Sequence, residues 1–246
     1  MELQAVKPLK TVFERREKKY LLSSEQYDAL MARIAPRLEW DDYGKYTICN
    51  IYFDTADDLL VRRSLEKPVY KEKLRLRSYG TPHPEDTVYL EIKRKLDGVV
   101  YKRRMAMTLD EVREYLSGNA PPHMQGQIFH EIDYLYRKNH LTPRLYLAYD
   151  RTAFREKDGE LRITFDTAVR ARRDRLHLTD GDDGELLLPP GARLMEIKAP
   201  LALPLWLTHI LAEEQIYSTS FSKYGRRYQI EQEDRICLPA SSRQLA

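Results

Sequence analysis

The sequence Lys71-Glu72-Lys73-Leu74-Arg75-Leu76-Arg77 places a basic side chain at every second position. Side chains alternate between the two faces of a β-strand, so the four basic residues of this stretch lie together on one face. Leu74 and Leu76 lie on the opposite face, where they can pack against a hydrophobic core. The pattern predicts a strand with one cationic face and one largely apolar face.

Three other stretches show the same alternation of charged and apolar residues, namely Glu91-Ile92-Lys93-Arg94-Lys95, Arg162-Ile163-Thr164-Phe165-Asp166 and Leu194-Met195-Glu196-Ile197-Lys198. Any one of them is compatible with an ordinary half-buried sheet whose charges face water. Repetition over four strands favours another arrangement, in which the apolar faces pack under helices and the charged faces line one wet cavity. Such a cavity repels itself when empty, which favours a polyanion carrying metal ions as its occupant.

Composition limits the class of protein. The chain has 246 residues, of which 32% are charged and 42% hydrophobic, so a globular protein of one large or two small domains is expected. Its net charge of +3 gives no general attraction to nucleic acid. The two cysteines, Cys49 and Cys237, form no metal pattern, and no apolar run approaches the roughly 20 residues that span a bilayer. We expect a cytoplasmic protein without a membrane segment.

The order of predicted elements indicates an α+β fold. Helices are expected from the capping sequence at 23–26 to Pro36, from Thr108, over 124–140 and over 203–216. An exposed acidic loop is expected at 179–185. Strands are expected near 11–22, 45–54, 69–79, 86–95, 98–107, 143–156, 160–172 and 192–199. Many antiparallel strands with interspersed helices predict one domain around a curled or closed sheet.

Arg75 and Arg77 are the clearest candidates for binding phosphate. Two guanidinium groups about 7 Å apart on one strand face can each bind phosphate oxygens through two hydrogen bonds. The alternative is that they form salt bridges with Glu91 or Glu72 across the sheet. Further cations on the neighbouring hairpin are Lys93, Lys102 and Arg104.

Glu196 is the candidate metal ligand, because it is a carboxylate on a cationic strand face that also carries Lys198. A hard divalent cation needs at least one carboxylate oxygen and can take its other ligands from phosphate and water. Asp166, Glu17 and Glu91 are lesser candidates. The alternative is that Glu196 serves only as a counter-ion to the cations.

Other chemistries find little support in the sequence. The six histidines include no HExxH pattern, which argues against a zinc hydrolase. A GxxxxGK[ST] loop and a GxGxxG fingerprint are also absent from the sequence, which argues against the standard nucleotide-binding folds. In the first strand both faces are charged. Arg15, Glu17 and Lys19 share one face, and their charged neighbours share the other. The pattern therefore does not decide whether this strand lines the cavity or is a solvated edge strand.

Nine short motifs, taken in order, resemble the VTC domain, the polyphosphate polymerase branch of the CYTH or triphosphate tunnel metalloenzyme superfamily. The resemblance covers residues 11 to 230. The motifs are Arg15–Tyr20, Tyr52–Thr55, Lys73–Gly80, Leu90–Lys95, Lys102–Arg104, Tyr149–Phe154, Leu161–Asp166, Met195–Lys198 and Phe221–Tyr224.

The resemblance implies a single domain over 1–246, with its core at about 11–230, built as a closed eight-stranded antiparallel β-barrel with flanking helices. It also implies a metal-dependent phosphotransferase that moves the γ-phosphate of ATP onto a growing inorganic polyphosphate chain. Glu196 would hold Mn²⁺ or Mg²⁺, and Arg75, Arg77, Lys93 and Lys223 would act in catalysis. The candidate substrate-binding set is Lys19, Arg75, Arg77, Lys93, Lys102, Arg104, Arg151, Arg162, Lys198 and Lys223.

One position departs from the resemblance, and two alternative functions stay open. Better-known eukaryotic members carry a lysine three residues before the position of Lys223, where this chain has Ser220. A tunnel triphosphatase would use water in place of the acceptor phosphate and would require more carboxylates, to hold a second metal. A non-catalytic polyanion-binding module would bind the same ligands without turnover.

Overall fold

The computed structural model describes residues 16–97, 99–121, 123–157, 159–200 and 202–237. The strands are β1 (Arg16–Leu22), β2 (Leu38–Asp54), β3 (Tyr70–Tyr79), β4 (Thr87–Leu96), β5 (Val99–Thr108), β6 (Thr142–Glu156), β7 (Arg162–Arg172), β8 (Glu185–Leu186), β9 (Arg193–Ala199) and β10 (Ser218–Thr219). The helices are α1 (Ser24–Ile34), α2 (Leu59–Leu65), α3 (Leu109–Leu116), α4 (Gln127–Lys138), α5 (Leu205–Glu213) and α6 (Lys223–Cys237). The predicted first strand began at residue 11, and its residues 11–15, including Arg15, lie outside the described part.

All strand pairs are antiparallel, and their order is β10-β1-β9-β7-β6-β2-β3-β4-β5, with β8 paired to β7. The predicted closed eight-stranded barrel is therefore wrong, because this is an open ten-stranded sheet. The predicted antiparallel α+β class is confirmed. Two short strands, β8 and β10, add to the eight long ones.

The sheet is curled although its ends are not hydrogen-bonded to each other in the described residues. Lys19 on β1 donates from Nζ to the Phe221 carbonyl at 3.2 Å, and Lys73 on β3 donates to Ser222 Oγ at 2.9 Å. The segment that precedes α6 thus lies between β1 and β3. A closed barrel would need backbone hydrogen bonds between the end strands β10 and β5, where the described residues leave an open seam.

Two predicted helix starts are confirmed by their caps. Ser23 Oγ accepts from the Gln26 N–H while the Gln26 side chain accepts from the Ser23 N–H, which is a capping box. Thr108 and Glu111 form the same arrangement at the start of α3. α1 ends at Ile34, just ahead of Pro36, since proline cannot continue the helix.

Two helices were not predicted, and both depend on side-chain caps. The buried Asp54 carboxylate accepts from the Leu60 and Val61 N–H groups at 2.8 and 2.9 Å, which stabilises the start of α2. Ser222 Oγ accepts from the Gly225 N–H at 3.1 Å, which stabilises the start of α6. The expected exposed loop at 179–185 is largely half-buried and ends in β8, because Arg170 and Arg172 bind it to the sheet.

The apolar strand faces pack under helices, as the alternation predicted. Leu74, Leu76 and Ile92 pack in a core with Val112 of α3 and Ile132 of α4. A second core holds the apolar faces of β7 and β9 against α1 and α5, through Ile163, Phe165, Met195, Ile197, Leu30 and Leu207. A third core lies on the concave side, where Leu147, Leu194 and Tyr224 pack with the rings of Tyr52 and Tyr149.

No helix among the described residues is both long enough and apolar enough to cross a membrane.

Candidate functional site

The concave face of the curled sheet carries most of the predicted cations. On the opposite, helix-covered face of the β4–β5 hairpin, Arg94 and Arg103 bind Glu131 of α4 at 2.5 and 2.9 Å. Glu72 also lies on that face and pairs with Arg94 at 3.4 Å. Glu72 is therefore not the partner of Arg75 that the alternative interpretation allowed.

Glu91 is the partner that Arg75 does have. Glu91 Oε2 accepts from Arg75 Nε at 2.8 Å and lies 2.7 Å from Arg75 Nη2, while Lys102 Nζ lies 2.6 Å from Glu91 Oε1. The carboxylate is 1% exposed. Burial alone would raise its pKa, but Arg75, Arg77 and Lys102 lower the pKa of Glu91 to about 2. Glu91 therefore stays ionised and holds these cations together.

Hydrogen bonds to neutral groups orient the two arginines further. Arg77 donates from Nε to Asn50 Oδ1 at 3.0 Å and from Nη2 to Tyr149 Oη at 3.2 Å. Arg75 donates from Nη1 to Tyr52 Oη at 3.2 Å. Burial would raise the pKa of Tyr52, but Arg75, Lys73 and Arg77 outweigh it and lower this pKa to about 8.

A second group of charges surrounds Glu196. Its Oε1 lies 3.6 Å from both Lys19 Nζ and Lys223 Nζ, and its Oε2 accepts from Arg151 Nη2 at 3.3 Å. Asp166 binds Arg151 through both oxygens, at 2.6 and 2.8 Å, and also binds Lys223 at 2.6 Å. Although burial would raise it, the pKa of Glu196 is well below its usual range because Lys223, Lys19 and Arg151 surround it.

Of the lysines on the cavity face that form no ion pair with the described residues, three are the more deeply buried. They are Lys73, Lys93 and Lys198, and burial lowers the pKa of each. The pKa of Lys73 falls to about 8, with Lys19 and Lys93 adding repulsion to the effect of burial. Glu17 and Glu196 attract Lys93 and Lys198 from beyond ion-pair distance, but burial outweighs this attraction, so the charge of all three ammonium groups remains disfavoured.

Two predicted cations, Arg162 and Arg104, join neither the charges around Glu91 nor those around Glu196. Arg162 pairs with Asp41 of β2. Arg104 lies opposite Glu91 on β5, but its guanidinium carbon stacks 4.8 Å from the centre of the Tyr89 ring. In contrast, Lys73 joins the cavity although it was not among the chosen site residues. The alternation in 71–77 was the signal that could have found it.

Sequence reasoning also missed Asn50, Tyr52 and Tyr149, the neutral residues that orient the arginines. Each alternates along β2 or β6 with side chains of the other face, so its orientation was predictable in principle. The signal is weak because Asn and Tyr occur commonly on strand faces that have no ligand. Only the cross-strand register, with Asn50 opposite Arg77 and Tyr52 opposite Arg75, gives these residues their role.

The carboxylates near Lys19 fit a divalent cation that is bound mainly through its substrate. Lys19 Nζ lies 3.4 Å from Glu17 Oε1 and 3.6 Å from Glu196 Oε1, so these two carboxylates share one neighbourhood. The described residues contain no group of three or more His, Cys, Asp or Glu side chains suited to a metal. An ion here would take one or two protein oxygens and complete its coordination with phosphate and water, as Mg²⁺ commonly does.

A separate cleft of about 480 Å³ is also rich in arginine, including Arg172, Arg173, Arg175 and Arg227. Each of these already pairs with a carboxylate: Arg172 and Arg175 with Asp183, and Arg173 and Arg227 with Glu231. The cleft therefore has a structural explanation and carries no surplus charge comparable with the concave face.

Comparison with known proteins gives one family and several structures of related fold. The family model described as VTC domain matches residues 14–231. A segment covering 44% of this chain is 29% identical to the vacuolar transporter chaperone complex subunit 4 of Trypanosoma cruzi, and it covers only 17% of that protein. The chain thus spans a small part of the length of this curated relative.

Among solved structures, a putative adenylate cyclase from Bacillus halodurans has a TM-score of 0.50 and 16% identity, covering 84% of this chain and 92% of the other. A Hippeastrum protein described as a putative adenylyl cyclase with a dominant triphosphatase activity has a TM-score of 0.48 and 16% identity, covering 85% and 92%. At 16% identity the likeness to the Bacillus halodurans protein concerns the fold alone.

Proposed function

Because the chain belongs to the VTC domain family, we propose that it is a polyphosphate polymerase that transfers the γ-phosphate of ATP to a growing inorganic polyphosphate chain. The products are ADP and a chain longer by one phosphate. Family membership supports a role in polyphosphate metabolism. The choice of the polymerase reaction rests on the charges of the concave face.

The observation that carries the proposal is the surplus of cations on that face. Lys73, Lys93 and Lys198 have no ion-pair partner in the described residues, and burial disfavours their charge. A linear polyanion would supply several negative oxygens to these groups at once. Binding therefore removes an electrostatic cost that the empty protein bears.

We assign the reaction to positioning and charge stabilisation. An oxygen of the acceptor's terminal phosphate attacks the γ-phosphorus while the bond from that phosphorus to the β–γ bridging oxygen breaks, and the electron pair leaves with ADP. Arg75, Arg77, Lys93 and Lys223 would hold the phosphates in line and neutralise charge on the transferred group. The remaining predicted cations would bind the rest of the polyanion. No protein nucleophile is needed.

Glu196, with Glu17 beside it, would hold a divalent cation, Mg²⁺ or Mn²⁺. When bound, such an ion supplies charge neutralisation on the phosphate oxygens. The three contacts of Glu196 with Lys19, Lys223 and Arg151 keep the carboxylate ionised, which a metal ligand requires.

A tunnel triphosphatase is the alternative enzyme, and the carboxylates separate it from the polymerase. Activation of water by a second metal calls for further free carboxylates. Asp166 is bound by Arg151 and Lys223, and Glu91 by Arg75 and Lys102, all at 2.6 to 2.7 Å. The cations around Glu196 lie farther away, at 3.3 to 3.6 Å, so Glu196 is less tightly held than the other two carboxylates. This arrangement favours a phosphate acceptor over an activated water molecule.

The test is to incubate the purified protein with ATP and Mn²⁺ or Mg²⁺ and to resolve the products on a gel, with ADP measured in parallel. A polymerase gives a ladder of polyphosphate and one ADP per phosphate added. Orthophosphate without a ladder indicates a triphosphatase, and binding of triphosphate without turnover indicates a binding module. Lys93→Met is the matched negative control, because it removes one cavity charge while keeping an unbranched side chain of nearly the same length.

A further inference from the structure

Three tyrosines form a continuous row across β2, β3 and β4 on the concave face. The ring centres of Tyr46 and Tyr79 are 5.7 Å apart, and those of Tyr79 and Tyr89 are 5.8 Å apart, with edge-to-face angles of 63° and 78°. Arg104 stacks on the far end of this row, over Tyr89. At the near end, Arg151 and Arg162 act electrostatically on Tyr46: burial raises the pKa of Tyr46, and the two arginines oppose that rise.

The row adjoins the phosphate-binding cations. Tyr89 lies directly opposite Arg77 in the β3–β4 register, and Tyr79 follows Arg77 by two residues on the same face. Two residues along a strand correspond to about 7 Å. A group attached to a phosphate held by Arg77 would therefore reach the tyrosine row without leaving the concave face.

The exposure of Tyr79 is not explained by packing. The neighbouring rings of Tyr46 and Tyr89 are half-buried, but Tyr79 is 51% exposed. An aromatic ring that served only to stabilise the sheet would gain most when fully covered. Tyr79 instead leaves much of its surface available beside the cavity, while Tyr46 and Tyr89 fix its orientation from two sides.

We propose that Tyr79 is the docking platform for the nucleobase of a nucleoside triphosphate, with Tyr46 and Tyr89 as positioning residues. The inference rests on the proposed function, because it places the base next to phosphates held by Arg75 and Arg77. The base stacks on the open part of the Tyr79 ring, and Arg104, which stacks on Tyr89, adds a planar cation at the far end of the row. This subsite distinguishes a nucleotide donor from a polyphosphate chain, which has no base.

The test compares two ligands that differ in having a base. ATP and inorganic tripolyphosphate are titrated into the full chain by calorimetry, without divalent metal and at one ionic strength. Loss of a stacked aromatic reduces affinity by roughly 5- to 100-fold. Tyr79→Ala should show such a loss for ATP and leave tripolyphosphate within about twofold. Tyr79→Phe should keep the affinity for both, because the ring is retained.

Tyr101→Ala is the matched control. Tyr101 lies on β5 and is 56% exposed, but it pairs with Arg94, on the face away from the cavity. It should change neither affinity. Equal losses for ATP and tripolyphosphate in Tyr79→Ala, or no loss for either, would overturn the subsite while leaving the polymerase proposal intact. If the unaltered protein binds neither ligand, the proposed function fails and the subsite fails with it.

Discussion

Lys73 and Ser222 are joined by a hydrogen bond of 2.9 Å that links β3 to the residue just before α6. This contact brings a lysine of the sheet to the residue that caps the final helix. The ammonium group lies among other cations and is poorly hydrated, so burial lowers its pKa to about 8. Without a bound anion, the positive charge at this part of the cavity is therefore disfavoured.

Raising the pH should stabilise the empty protein and weaken its binding of triphosphate. The pKa values of Lys73, Lys102 and Tyr52 all fall to about 8. Between pH 8 and 10 the unfolded chain holds protons that the folded chain has released, so the free energy of unfolding rises with pH. Over the same range the lysines lose positive charge and Tyr52 gains negative charge. Triphosphate affinity should fall roughly tenfold, since a charge-assisted contact contributes about 1.5–3 kcal/mol.

Denaturant unfolding and calorimetric titration at pH 8 and pH 9.5 measure the two trends. Lys73→Met should reduce the pH dependence of both the free energy of unfolding and the triphosphate affinity, because it removes one of the three groups that titrate in this range. An affinity that stays constant between these pH values would contradict the prediction.

Substitutions of Arg75 and of Lys93 should change the stability of the protein in opposite directions, although both residues contribute to the same cavity. Arg75→Ala leaves the buried Glu91 without one of its two close partners, which should cost about 1–3 kcal/mol despite the remaining Lys102. Lys93→Met removes a buried charge that has no ion-pair partner in the described chain, so the melting temperature of the empty protein should rise. Turnover should be lost in both variants.

Thermal unfolding without ligand checks these two substitutions side by side. A lower melting temperature for both would show that Lys93 has a stabilising partner, and a higher one for both would show that Glu91 does not depend on Arg75.

Ligands should stabilise the protein according to their number of phosphates. A ligand that binds only the folded state adds RT ln(1 + [L]/Kd), about 2.7 kcal/mol at a hundredfold excess over Kd. For a chain of this size that corresponds to a rise in melting temperature of roughly 5–10 °C. Tripolyphosphate should give this rise and orthophosphate much less. Sulfate at equal ionic strength is the control, and an equal response to sulfate would indicate a generic basic surface.

Alternation along the strands was sufficient to predict which side chains face the cavity. Arg75 and Glu196 each sit between apolar neighbours, and Lys93 follows Ile92 two positions after Glu91. The structure places all three on the concave side. Such local patterns depend only on the two-residue period of a strand. Helix starts were equally local, because Ser23 and Thr108 form their caps with residues three positions away.

Pairing over long sequence distances was not predictable in this way. Arg162 is drawn to Asp41 and Arg104 to the ring of Tyr89, and in each case the partner comes from another strand. The open seam has the same origin. The number of strands does not decide whether the end strands hydrogen-bond, and here the end strands β10 and β5 are not paired in the described residues.

Glu196→Gln should separate catalysis from binding. The substitution keeps the size of the side chain and removes one negative charge that faces Lys19, Lys223 and Arg151. Triphosphate affinity without metal should stay the same or rise, because a repulsive charge near the phosphates is gone. Metal-dependent turnover should fall roughly a hundredfold or more, since the ion that neutralises developing charge loses its protein ligand.

Turnover titrated with Mn²⁺ and Mg²⁺, together with the melting temperature, distinguishes a metal ligand from a counter-ion. A counter-ion role predicts a loss of stability with an unchanged metal concentration at half-maximal turnover. Glu91→Gln is the matched control, because it also removes a buried carboxylate from among cations but leaves Glu196 in place. It should lower stability and leave that metal concentration unaltered. Full metal-dependent synthesis by Glu196→Gln would exclude Glu196 as the ligand and shift attention to Glu17 and Asp166.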